Sequence, residues 1–240
     1  MYEVFKAYLD SKISLTEEQH EWIRSQSVMK KLRKKQYLLQ EGDHWHYKWF
    51  VTKGLLRTYS VDERGFEHVF YFAMENWWVG DREAFLSGQP SRFNIDAIED
   101  SEIVLMEKQK YDAICREIPA FNDMVNKIIE RSFIASQNRI HDSISTPVEE
   151  RYSNFVQRYP SLAARVPLNM IASYLGITRE TLSRIRHKAA KKSWIDLTPL
   201  MNNQYLFCLL SQGEEWLIVK FVLERVNMHD GRIYHTDLSK

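Results

Sequence analysis

The sequence predicts an α+β chain, with a strand-rich first half closed as a barrel or jelly roll and a helical second half ending in a helix-turn-helix. Three observations carry this. From about residue 28 to 107, short strand-like segments alternate with turns rich in Gly, Asp and Pro. From Pro119 to about Ser145, apolar residues recur every three or four positions. Residues 168–190, LNMIASYLGITRETLSRIRHKAA, have the spacing of two short helices about a turn glycine.

Composition sets the outer bounds. With 240 residues, 44% hydrophobic, the chain is long enough for two cores. No segment approaches the ~18 consecutive apolar residues of a membrane span. The opening MYEVFKAYLDSKISL is broken too often by charge to be a secretory signal. Only Cys115 and Cys208 are present, far apart, which argues against a disulfide framework and fits a reducing cytoplasm. Two cysteines also fall short of the ligands that iron–sulfur and structural zinc sites need, and no metal, haem or iron–sulfur cluster is expected. There is no nucleophile elbow, Walker loop, CxxC or His-Glu-x-x-His, so an enzyme is the poorer hypothesis.

After N-terminal helices, QYLLQEGD at 36–43 ends a strand in a Gly-Asp turn. KWFVTKGLLRTYSV at 48–61 reads as a hairpin around Lys53-Gly54, with Phe50, Leu55 and Tyr59 in the core. DERG at 62–65 turns the chain into a further strand at 66–72, and 94–107 supplies two more strands around Glu99-Asp100-Ser101. Phe121, Val125, Ile128, Ile129, Phe133, Ile140 and Ile144 form the stripe of the long helix. Such a helix, about 25 residues, is longer than a small domain's core can cover, and its spare apolar stripe is a natural dimer seam. Substituting Asp for Ile128 or Ile129 is expected to test that seam. The bland alternative is packing wholly within its own chain. Pro147 marks a boundary, and residues 148–158 give another amphipathic helix.

In the helix-turn-helix, Ile171, Ala172 and Leu175 form an inner face, Gly176 takes the turn, and Thr178 caps a second helix whose inner face is Leu182 and Ile185. Arg179, Glu180, Ser183, Arg184 and His187 are then left pointing outward from its first turns, the end of a recognition helix that meets base edges. Residues 147–192 carry nine Arg or Lys against three Glu, a net +6 in a chain whose remainder is net −5. A locally basic face of this kind neutralises phosphates. Lys188, Lys191 and Lys192 alone would be a solvated helix end; the motif beside them gives them weight.

Together these parts resemble the Crp–Fnr family of bacterial transcription regulators over residues ~28–192, most specifically in GITRETLSRI at 176–185. The resemblance implies a jelly roll of the cyclic-nucleotide-binding type, a dimerisation helix and a winged helix-turn-helix. It implies base-reading roles for Arg179, Glu180 and Arg184, on a palindromic double-stranded operator bound by a homodimer, and Thr178, Ser183 and Lys188 join them as DNA-binding candidates. RNA polymerase is a further candidate partner. The chemistry fits, since Arg offers two donors to guanine N7 and O6, and Glu accepts from cytosine N4. The expected division is 1–118 for the sensory domain, 119–146 for the dimerisation helix, 147–210 for the DNA-binding domain and 211–240 for an extension.

The effector pocket departs from the family pattern. Members that bind cAMP carry a Gly-Glu pair opening a short helix and an Arg-Ser pair about ten residues later. GDREAFLSGQPSR at 80–92 keeps the frame, but Gly80-Asp81 has a shorter carboxylate and Ser91-Arg92 reverses the order. A one-residue displacement along a strand turns a side chain to the opposite face. Gly80, Asp81, Ser91 and Arg92 are the candidate ligand residues, and another small anionic effector, or none, is expected in place of cAMP. His44 and His46 look like a metal pair but lack a third ligand and read as turn residues. Trp77-Trp78 could stack on a planar ligand but reads as core or dimer contact. The alternative function is a small-molecule-binding module that acts through protein partners. Beyond the motif, 193–199 and 204–210 are expected to be the two wing strands around Asn202-Asn203, and 214–228 a docked helix or buried strand.

Overall fold

The computed structural model describes residues 1–197, 205–212 and 215–222, with side chains through residue 189. Two helices open it, α1 (Tyr2–Asp10) and α2 (Glu17–Ser25). A capping box starts α2: the Thr16 side chain accepts from Gln19 N, and the Gln19 side chain accepts from Thr16 N. Eight strands follow: β1 (Ser27–Leu32), β2 (Tyr37–Leu39), β3 (Tyr47–Lys53), β4 (Leu56–Val61), β5 (Glu67–Ala73), β6 (Trp78–Val79), β7 (Asn94–Ala97) and β8 (Ser101–Glu107). They form two antiparallel four-stranded sheets, in the orders β1-β8-β3-β6 and β2-β7-β4-β5. This is a jelly roll.

The expected hairpin at 48–61 is not one. The strands β3 and β4 fall at the right residues but in different sheets, and the chain steps between layers at Lys53-Gly54. Gly54 sits at φ +95°, and a Cβ there would lie 2.2 Å from Ser101 Oγ and 2.7 Å from Ser101 Cα. Only glycine fits both the backbone angle and the space. The neighbours β7 and β8 are likewise split between sheets, whereas β4 and β5 pair through the 62–66 turn. Phe50, Leu55 and Tyr59 are all buried, as expected.

Phe50 faces α1, with its ring 4.8 Å from Phe5 and 4.6 Å from Tyr8. The short helix α3 (Arg82–Ser87) bridges β6 and β7, and α4 (Lys108–Glu117) follows β8. Pro119 then opens α5 (Pro119–Ser145), where its missing N–H costs nothing. The first turns of α5 bury Phe121, Met124 and Val125 in the jelly-roll core, and Ile128 and Ile129 pack partly against it. Phe133, Ile134, Ile140 and Ile144 are exposed. The spare stripe therefore begins at Phe133, and Ile128 and Ile129 serve the chain's own core.

The helices α6 (Val148–Arg158), α7 (Pro160–Arg165) and α8 (Leu168–Leu175) come next. Phe155, Leu162, Val166, Ile171, Ala172, Leu175 and Leu182 share one apolar cluster with Leu55, Tyr59, Val69, Phe72 and Ile98 of the sheet that ends in β5. Residues through Leu182 form one compact unit, and a second begins at Ser183. The helix α9 spans Arg179–Leu197. Residues 193–197, expected as the first wing strand, thus continue the helix. Nothing from Ala189 to Leu197 breaks a helix, and the first breaker is Pro199. Residues 198–204, with the Asn202-Asn203 turn, lie outside the described residues. Strands β9 (Tyr205–Gln212) and β10 (Glu215–Val222) then pair antiparallel as a hairpin, so the apolar run from 215 to 222 is a strand.

Candidate DNA-binding face and effector cassette

The turn between α8 and α9 is built from its caps. Gly176 takes φ +69°, in the left-handed region, and its N–H bonds Ser173 O at 3.0 Å, while Ile177 N reaches Ala172 O at 3.0 Å. Thr178 Oγ1 accepts from Thr181 N at 3.2 Å, satisfying an otherwise orphan donor of the second helix. Ile171, Ala172, Leu175, Leu182 and Ile185 are all buried.

With ~100° between successive helical residues, that anchoring fixes what faces outward. Arg179, Ser183, His187, Glu180, Arg184 and Lys188 fall on one arc opposite Leu182 and Ile185, and all six are exposed. Two arginines, a lysine and an acceptor carboxylate thus share one face. The backbone N–H of Glu180 itself, then the Thr178 hydroxyl, hold its carboxyl below the usual range. At neutral pH it is ionised, the form that accepts a hydrogen bond.

The cassette at 80–92 lies between β6 and β7. Gly80 is pressed against Trp45, where a Cβ would come within 2.6 Å of the indole, and both its backbone groups bond Tyr71 Oη. Asp81 caps α3, accepting from Ala84 N at 3.1 Å. Its second oxygen accepts from Ser91 Oγ at 2.8 Å. Asp81 and Ser91 are both buried. Arg92 points away: its side chain is 73% exposed and donates to Glu83 Oε2 at 2.6 Å. The cassette's serine and its opening acid are therefore spent on one another, and its arginine lies outside. An anion entering here would meet a carboxylate in place of a guanidinium. Trp77 and Trp78 are packed among aromatics, Trp78 against Phe5 and Phe50, Trp77 against Tyr159. His44 and His46 stack in parallel at 6.1 Å, and among the described residues no cluster of three or more metal-ligating side chains exists.

Sequence reasoning missed the polar joints between the helices at 147–182 and the sheet. Arg165 donates to both carboxylates that flank it, Glu75 at 2.8 and 2.9 Å and Glu99 at 3.1 and 2.7 Å. Ser173 Oγ donates to Glu67 O and accepts from Val69 N on the edge strand β5. Arg139 of α5 donates to the carbonyls of Phe70, Val69 and Tyr174 and stacks on the Tyr174 ring at 4.1 Å. No local pattern announces such pairs, which join residues 35 to 106 positions apart.

Residues 29–117 match the cyclic nucleotide-binding domain family. The chain is 25% identical over 197 residues to the regulatory protein HlyX of Actinobacillus pleuropneumoniae, covering 76% of this chain and 81% of that protein. It is 23% identical over 171 residues to the transcriptional activator Anr of Pseudomonas protegens, 64% and 67% of the two chains. Among solved structures, FixK2 from Bradyrhizobium japonicum superposes with a TM-score of 0.61 at 18% identity, covering 70% of this chain and 86% of that one. A protein assigned to the Crp/Fnr family from Eubacterium rectale superposes at 0.57 and 17% identity, covering 83% and 88%. The fold is that of the Crp–Fnr regulators, and the relatives are transcription regulators rather than enzymes.

Proposed function

We propose that this chain, a relative of the Crp–Fnr transcription regulators with a cyclic nucleotide-binding domain at 29–117, is a dimeric, sequence-specific DNA-binding regulator whose effector pocket departs from the cAMP pattern. The observation that carries this is the outer face of α9, where Arg179, Glu180, Ser183, Arg184 and Lys188 stand exposed on a helix anchored by Leu182 and Ile185. Arg179 and Arg184 supply guanine-reading donors, Glu180 reads cytosine, and Lys188 holds a phosphate. A module that acted only through protein would have no use for that set.

Dimerisation belongs to α5, where Phe133, Ile134, Ile140 and Ile144 leave an apolar stripe unburied in the single chain. The divisions at 118 and 146 accompany this reading, but with the β9–β10 hairpin as the wing the DNA-binding part runs past the expected boundary at 210, to Val222 at least. RNA polymerase is the partner that such a regulator addresses, and the cytoplasm its compartment. No helix among the described residues is long and apolar enough to cross a membrane. Selection from random DNA with the pure protein tests the reading. A palindrome with half-site centres about 10–10.5 bp apart is expected, and enrichment of no palindrome would overturn it.

A further inference from the structure

One group of charges beside the cassette is only partly partnered. The side chain of Lys48, on β3, runs between the rings of Phe85 and Tyr111, with its ammonium 4.3 Å from the first centroid and 5.9 Å from the second. Lys108, the first residue of α4, places its own ammonium 4.4 Å from the same Phe85 ring. The two like charges thus lie within about a Debye length of each other over a buried aromatic floor. Arg82, the first residue of α3, adds a third positive charge to the same field. Lys48 and Arg82 make no hydrogen bond and no ion pair among the described residues. Nearby carboxylates do not balance the set. Asp112 pairs with Lys108 at 3.6 Å, and Glu83 is taken by Arg92.

The geometry points to an anion site made by Lys48, Arg82 and Lys108 beside the cassette helix, which takes a small multivalent anion of the phosphate or pyrophosphate class. Three cations around an aromatic floor, two without acceptors, repel one another until an anion joins them. Burial first, and then the fields of Arg82 and Lys108, push the Lys48 ammonium down to about 8, with Cys115 and Asp112 only partly offsetting them. A bound anion reverses the sign of that field and restores the charged form. The site differs from the cassette interior, where Asp81 and Ser91 are already bonded to each other. It also has a mechanical consequence. An anion bridging Arg82 to Lys108 ties α3 to α4, and α4 is separated from α5 only by Ile118. Ligand at this place would be felt at the helix proposed to carry the dimer.

The test uses the full-length protein and no DNA, so its outcome is independent of the DNA-binding proposal. Acetic anhydride labelling of Lys48 is followed by mass spectrometry across pH 6–10, with inorganic phosphate, pyrophosphate or ADP added. Pyrophosphate is expected to slow Lys48 labelling at least tenfold at saturation and to shift its pH midpoint upward, and phosphate to do so at higher concentration. Equal protection by ADP and pyrophosphate assigns the site to a nucleotide's diphosphate; protection by pyrophosphate alone assigns it to the free anion. Arg82→Ala removes an exposed side chain and is expected to weaken pyrophosphate protection at least tenfold, while Lys110→Ala leaves it unchanged. Labelling that ignores millimolar pyrophosphate, or protection that survives Arg82→Ala, overturns the site.

Discussion

In the cassette, two small sequence departures decide where four side chains end. Asp81 is one carbon shorter than the glutamate of the cAMP pattern, and that length lets it cap its own helix and take the Ser91 hydroxyl. Reversal of the serine–arginine pair buries Ser91 and sends Arg92 to Glu83. Two charge-assisted contacts to a cyclic phosphate and ribose are thereby missing, typically ~1.5–3 kcal/mol each. Calorimetry on the pure protein is therefore expected to show no sub-micromolar cAMP binding. A tight isotherm abolished by Arg92→Ala would mean that Arg92 turns inward on binding. The outward Arg92 agrees with the expectation drawn from the reversed pair, but Ser91 and Arg92 lie in the loop before β7 and not on a strand, so strand alternation is not its cause. The Asp81–Ser91 bond was not legible in the sequence, since it closes across a helix and ten residues. By contrast, all of the outward positions on α9 could be read beforehand, because helical periodicity alone sorts them from Leu182 and Ile185.

Elements repeat the same division between local and long-range signals. Strand positions at 48–61 and 94–107 followed from residue pattern, yet their assignment to separate sheets depends on the layer step at Gly54, which a hairpin signal resembles. The periodic stripe of α5 was equally plain, but periodicity cannot tell which turns meet the chain's own core. Ile128 and Ile129 do, so the seam is better probed further along. Ile140→Asp alters an exposed side chain, 54% accessible in the single chain, and should leave the fold intact. In a dimer it would bury a charge against an apolar partner. Light scattering is expected to give monomer mass for Ile140→Asp, and an unchanged dimer would move the seam off this stripe. The Arg165 joint gives a second element-scale prediction. Burial alone would raise the Glu75 carboxyl, but Arg165, then the backbone N–H groups of Glu75 itself and of Gly54, outweigh it and the group sits below its ordinary value. Its contribution is thus present above about pH 4.3 and lost as pH falls through the lowered value. Since the three side chains are 22–35% exposed, about 1 kcal/mol is at stake. Val69 N–H, which donates to Ser173 Oγ, reports this docking. Its hydrogen-exchange protection factor should fall in acid, and at neutral pH in Arg165→Met. Protection unchanged in both would show that the apolar cluster alone holds the helices.

Over the whole molecule, net charge is only +1, so the proposed attraction to DNA has to come from how charge is distributed. Residues 147–192 are net +6, while those before 119 and after 192 are net acidic. An operator complex should therefore orient by this basic segment, and its affinity should fall steeply with salt as condensed counterions are released. Two positions on α9 separate the two components of that affinity. On the proposed reading Lys188 holds a phosphate, so Lys188→Ala should weaken every sequence alike and lower the slope of log affinity against log salt by about one. Arg184 is the proposed base reader, so Arg184→Ala should cost ~1–3 kcal/mol on the selected operator and relax preference at one base pair in each half-site. On non-specific DNA the Arg184→Ala loss should largely vanish, because there is no guanine in register to lose. Titrations of both variants on operator and scrambled duplexes, at several salt concentrations, decide the matter. If Arg184→Ala weakened both duplexes equally, the outer face of α9 would be holding backbone only, and sequence would have to be read from another part of the chain.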